Sequence, residues 1–214
     1  MAETFICKIC NKRRARRYCA AVEGDICSLC CGTHREIAFT CPLECIFLQE
    51  AHRHEKVAPQ TADSTPADLP DEAFLNSHEE LFLVCLHALV SGALQTQGTI
   101  DADILSALEA LIRTYRTLQS GLLYETRAEN AVAASIQRSF SDSLEEYRKL
   151  KTERDPLSAV HDGDVLKILL FLHWLGTQNQ NGRPRGRRYL DILRQGIPAG
   201  GIEKSASNII VVGS

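Results

Sequence analysis

Between Gly24 and Cys45 the chain reads GDICSLCCGTHREIAFTCPLEC, with Cys27, Cys30, Cys31, Cys41 and Cys45 and one histidine, His34, in a single short stretch. Eight of the nine cysteines precede residue 46. So much sulfur in so few residues leaves little apolar surface for an ordinary core, so a cross-link or a metal must organise this part of the chain. The start, Met-Ala-Glu-Thr-Phe-Ile-Cys, has no basic segment followed by an apolar stretch, and no later apolar run reaches the roughly 18 residues of a membrane span. A cytoplasmic, non-membrane protein is expected, and clustered cysteines in a reducing compartment read as metal ligands rather than disulfides.

The spacing favours zinc. Cys7 and Cys10 enclose two residues, Cys27 and Cys30 enclose two, and sixteen separate the pairs, within the range of a four-cysteine zinc site. Two intervening residues let the backbone turn tightly enough to point both sulfurs at one ion, and zinc takes four such donors in a tetrahedron. Cys19, Cys31, His34, Cys41 and Cys45 remain, enough for a second site with one donor to spare. Cys19, Cys41 and Cys45 are expected to share the second ion with either Cys31 or His34, although a different interleaving of the pairs stays open. Zinc, two ions per chain, is the favoured cofactor. An iron-sulfur cluster is the alternative, weakened by the lack of a compact ferredoxin-type cysteine run. Sites dominated by cysteine are closed and structural, without the free position a catalytic zinc needs. His52 and His54, in EAHRHEK, are expected on an exposed helical end beyond the module. Cys85, in LFLVCLHALV, reads as a core residue.

The order CKIC, RRYC, CSLCC, His34 and Cys41 resembles the small cross-braced zinc fingers of the HIT, MYND and B-box kinds over about the first 45 residues. That resemblance implies a treble-clef-like module whose paired ligands hold two zincs and whose surface binds other proteins. The chain departs from the pattern after Cys19, where Val22 stands in the place of a paired ligand, so that Cys45 would have to substitute. The layout in which CPLECIFLQEAHRHE leads from a finger into a helical body is similar to that of uncharacterised bacterial proteins, and this likeness implies no activity.

The net charge of -3 is unevenly spread. Residues 1–56 carry 9 Lys/Arg against 7 Asp/Glu, residues 57–182 carry 9 against 18, and residues 183–214 carry 6 against 2. Eight thiolates bound to two divalent ions would bring the first segment to about -2, so a loaded module is not basic as a whole. Two local stretches are basic. Lys12, Arg13, Arg14, Arg16 and Arg17 form KRRARR, and Arg183, Arg185, Arg187 and Arg188 form GRPRGRR, which resembles an AT-hook without its second proline. Both are candidate nucleic-acid contacts. The competing reading is a solvated loop for the first stretch, and for the second an interhelix loop paired with the acidic middle segment.

Beyond residue 56 the pattern is helical. Residues 57–70, VAPQTADSTPADLP, read as a linker, residues 71–195 as an antiparallel helical bundle, and residues 196–214 as a tail whose NIIVV run is expected to dock as a strand. One helix is expected from Asp71 to Gly92, a second over Asp101–Gly121, a third over Ala128–Arg154 stopped by Pro156, and a nearly all-apolar fourth capped by Asp162. A short fifth fits RRYLDILRQ. The fold class is therefore mainly α, with a small N-terminal zinc-finger module. No glycine-rich phosphate loop, nucleophile elbow or dinucleotide fingerprint is present, and no residue is assigned a catalytic role. An interaction or adaptor protein with protein partners is the leading expectation, nucleic-acid binding the second and redox chemistry the third.

Overall fold

The computed structural model describes residues 5–55, 66, 68–156 and 158–197. Residues 57–65 and 67 of the expected linker, and the NIIVV run of the tail, lie outside them. The module contains a two-stranded hairpin, β1 (Arg17–Cys19) and β2 (Gly24–Ile26), and two helices, α1 (Ser28–His34) and α2 (Ile46–His54). The body contains α3 (Glu72–Ser77), α4 (Glu79–Gln95), α5 (Asp101–Gln119), α6 (Ala131–Arg154), α7 (Asp162–Asn179) and α8 (Arg188–Gln195).

The helix expected over Asp71–Gly92 is broken at His78. Asp71 caps α3 by accepting from the Phe74 N–H at 2.8 Å, and His78 leaves helical geometry at φ -119° and ψ 28°, although its N–H still donates to the Phe74 carbonyl at 3.0 Å beside the Ser77 hydroxyl. Gly92 does not end α4. It is buried against α6, where a Cβ would lie 3.0 Å from that of Ser139. Gly121 does close the turn after α5, at φ +78°. Asn130 caps α6, and His161 rather than Asp162 holds the cap position of α7; the Asp162 carboxylate is instead paired with Arg148. As expected, α7 is covered nearly all round, with only Lys167 exposed.

The main helix pairs are antiparallel. Gly92 meets Ile136 and Ser139 while Glu80 meets Lys151, which sets α4 against α6; Leu105 meets Gly176 and Glu109 meets His173, which sets α5 against α7. Consecutive helices do not form these pairs. Residues 120–130 run back along α5, with Tyr124 and Thr126 bonded to Thr117 and Thr114, so α6 starts beside Asp103 at the opposite end of α5. The result is an α4–α6–α5–α7 arrangement around one core that includes Cys85, Leu89, Leu108, Phe140 and Leu169.

The module is packed onto this body. Cys41, Leu43 and Leu48 belong to the main core, while Cys7, Ile26, Cys27, Cys30 and Cys31 form a small core of their own. No helix among the described residues is long and apolar enough to cross a membrane.

Candidate metal centre

The chain from Cys7 to Arg13 makes the first half of the site. Asn11 takes φ +50°, its N–H bonding to the Cys7 carbonyl at 2.9 Å, and the Cys7 N–H returns to the Arg13 carbonyl at 2.8 Å. A left-handed asparagine is tolerated where a tight turn must close. Burial pushes the Cys7 thiol up, but N–H groups of Cys10, Cys27 and Ile9 more than offset it and bring the thiol down to about 6. The N–H groups of Lys12 and then Arg13 likewise lower Cys10. The second half comes from the hairpin and the first turn of α1. Cys27 caps α1, its sulfur accepting from the Cys30 N–H at 3.4 Å, so both sulfurs sit where the helix begins. Burial first, and then the neighbouring cysteines, drive Cys30 up to about 12.

The sulfurs of Cys7, Cys10, Cys27 and Cys30 all lie within 4.8 Å of one another. Four sulfurs at about 2.3 Å around a tetrahedral zinc are about 3.8 Å apart, so small adjustments would close the shell. The donor chemistry therefore fits a closed, structural zinc. Arg13 supplies charge balance: its guanidinium is held protonated above its ordinary value, chiefly by its hydrogen bond to Cys27, with the charge of Cys10 also contributing.

The remaining donors are less tightly gathered. Among the described residues, no three of Cys19, Cys31, His34, Cys41 and Cys45 lie mutually within 4.8 Å. Cys19, Cys31, Cys41 and Cys45 nevertheless line a single cavity of about 450 Å³; His34 is not in its lining and lies behind the wall residue Phe39, their ring centres 5.7 Å apart. Burial, then the Cys45 and Cys19 thiols, raises Cys41 to about 11 against the lowering N–H of Glu36. Arg17 and Arg35 donate to the Cys31 sulfur at 3.7 and 3.6 Å, and the Arg17 guanidinium also stacks 3.8 Å from the Phe47 ring centre. Arg17 is thus half-buried, whereas Lys12, Arg13, Arg14 and Arg16 are exposed.

The second basic stretch faces the module. Arg183 donates to the Arg35 carbonyl and pairs with Glu55 at 3.0 Å, Arg185 donates to the Thr40 hydroxyl, and Arg187 donates to the Cys41 carbonyl at 2.9 Å. Arg188 donates to the Asn179 carbonyl. The partners of Arg183, Arg185 and Arg187 are therefore module residues rather than the acidic middle segment.

At the centre of this junction is a group that sequence reasoning missed. Glu36 is fully buried at φ +54°, and its carboxylate accepts from His52 Nε2 at 3.0 Å, from Asn181 at 2.9 Å and from the Arg187 N–H at 2.7 Å. His52 is buried, not exposed as expected, because it lies four residues after the core residue Leu48 on one face of α2; its Nδ1 faces Asp191 at 3.2 Å. His54, by contrast, is exposed beside Glu50. Burial disfavours charge on His52, but Glu36 and Asp191 outweigh it and raise the imidazole above its ordinary value. Burial likewise opposes the Glu36 carboxylate, which His52, the Arg187 N–H and Asn181 hold below its usual range. Glu36, His52 and Glu55 have ligand-like spacing, but Asn181 bridges the two glutamates and Arg183 neutralises Glu55, so the group is balanced as a buried ion-pair network. The spacing of Leu48 and His52 was the signal that could have located His52; nothing local marks Glu36.

Compared with known proteins, the chain matches no family model, no curated protein and no solved structure.

Proposed function

We propose that the chain is a non-enzymatic zinc protein whose N-terminal module, of treble-clef type and holding two ions, is an interaction surface carried on a helical body in the cytoplasm. The observation that carries the reading is the four-sulfur cluster together with what surrounds it. Among the described residues, six of the ten exposed large apolar side chains, Phe5, Ile6, Tyr18, Leu29, Ile37 and Ile46, lie on the module, although it is the smaller part of the chain. A metal-stiffened surface rich in exposed apolar side chains suits protein partners. The second ion would sit among Cys19, Cys31, Cys41 and Cys45, since these share one cavity and His34 does not line it.

Native mass spectrometry of the purified chain tests this directly. Two zincs are expected; a Cys7→Ser, Cys10→Ser double variant should lose one, and Cys19→Ser or Cys45→Ser the other. Iron with labile sulfide, or no metal, would overturn the reading. A second reading is favoured by the exposure of Lys12, Arg14 and Arg16 on the turn beside the first site: contact with nucleic-acid phosphates. It predicts affinity falling steeply with salt and lost in an Arg14→Gln, Arg16→Gln variant.

A further inference from the structure

A cleft of about 570 Å³ opens between α2 and α8, where module and body meet, and it is separate from the thiol-lined cavity. Gln49, His52 and Arg53 enter it from α2, and Arg188, Asp191 and Arg194 from α8. Three arginines thus line one concavity. Among the described residues the one carboxylate in its wall, Asp191, already faces His52, which Glu36 holds from the other side. The cleft keeps a surplus of positive charge.

The acids available to the three arginines do little to cancel that surplus. Arg53 pairs with Glu50 and Arg194 with Glu44, but these carboxylates are 58% and 75% exposed, and such surface pairs are weak and easily exchanged. Arg188 is half-buried, donates to a backbone carbonyl, and has no carboxylate within ion-pair distance among the described residues. Like charges gathered in a partly enclosed space repel unless an anion enters, and the planar fork of arginine matches phosphate oxygens two at a time. Clefts at the junction of two parts of a chain are common ligand sites.

We propose that the α2–α8 cleft binds a small phosphate-bearing group, carried by a free metabolite or by a lipid headgroup, with Arg188 as its principal contact and Arg53 and Arg194 closing over it. This site does not depend on the metal count or on the Lys12–Arg17 loop, and of the second basic stretch it uses Arg188 alone.

Calorimetric titration of the zinc-loaded full chain with inorganic pyrophosphate, in low salt without phosphate or sulfate, tests it. Saturable one-to-one binding is expected. Arg188→Gln and Arg194→Gln should each weaken it about tenfold or more, the loss expected for a charge-assisted hydrogen bond. Arg53→Gln, at an exposed position that cannot disturb folding, should weaken it several-fold, while Arg14→Gln, Arg16→Gln should leave it unchanged. Vesicles containing a phosphatidylinositol phosphate form the second arm, and binding there alone would assign the headgroup as the source. No saturable binding in either arm, or equal weakening by the Arg14 and Arg16 substitutions, would overturn the site. Zinc measured on the same samples separates this outcome from a failure of the metal reading.

Discussion

Glu36 shows how one residue can couple two parts of a chain. Its carboxylate joins His52 of α2 to the backbone that opens α8, and its own carbonyl accepts from the Arg185 N–H at 2.9 Å. Truncation to alanine would leave His52 and Asn181 without their buried partner and should cost about 3–5 kcal/mol, read from the urea midpoint. The pair also makes stability depend on pH in a definite sense. The raised His52 contributes fully below its ordinary value of 6.5, and its share is lost as pH rises through the folded value above that. The lowered Glu36 contributes fully above its ordinary 4.5, and its share is lost as pH falls through the folded value below that. The share of stability due to this pair, read from urea midpoints, should therefore be level between these limits and fall on both sides. A His52→Gln variant that kept the full decline above pH 6.5 would show that this imidazole is not responsible.

The helices were largely legible as elements, because their caps and apolar spacing are local. Gly121 acts where the pattern predicts and α5 and α8 hold close to their expected extents, whereas α6 starts at Ala131 behind its Asn130 cap rather than at Ala128. The break at His78 was not legible, since the apolar spacing runs through it and only the backbone of His78, at φ -119° and ψ 28°, marks it. Gly176 illustrates the contest between helix propensity and packing. Alanine should favour an isolated helix by about 1 kcal/mol over glycine. Here its Cβ would lie 2.7 Å from Leu105 Cδ2 and 2.7 Å from the ring of Tyr189, which is fully buried and anchored through its hydroxyl to the Leu172 carbonyl at 2.6 Å. The ring cannot withdraw, so overpacking of roughly 1–3 kcal/mol wins and Gly176→Ala should lower the thermal midpoint. A stabilised variant would mean that the α5–α7–α8 contact is looser than these distances imply.

At the scale of the molecule, the module and the body behave as one packed unit. Leu43 and Leu48 sit in the bundle's core, and Arg183, Arg185 and Arg187 bind the module's backbone and side chains. If the module holds zinc as proposed, removing it should therefore destabilise the helical body as well as the module. A single thermal transition is expected, shifted down by chelation well beyond the roughly 2–4 °C that 1 kcal/mol produces in a chain of this size. Two transitions, with the helical one unmoved by chelator, would show that the finger folds by itself. Replacing Arg183, Arg185 and Arg187 together by glutamine should loosen the junction and lower stability, so loss of nucleic-acid binding in that variant would not by itself identify DNA contacts.

The sequence by itself determined the four-cysteine site, the helical content and the sites of most helix ends. Each depends on residues a few positions apart, or on two tight turns that each present a pair of thiols. Tertiary structure decided the rest: which helices are neighbours, that His52 is buried, and that the GRPRGRR loop binds the module. Those outcomes depend on partners as far apart as Glu36 and Arg187, or His52 and Asp191, whose meeting is set by how the start of α8 folds back onto the module and onto Asp101 at the start of α5. Burial then makes each uncompensated charge costly, so the junction is built from groups that complete one another only after the chain has closed.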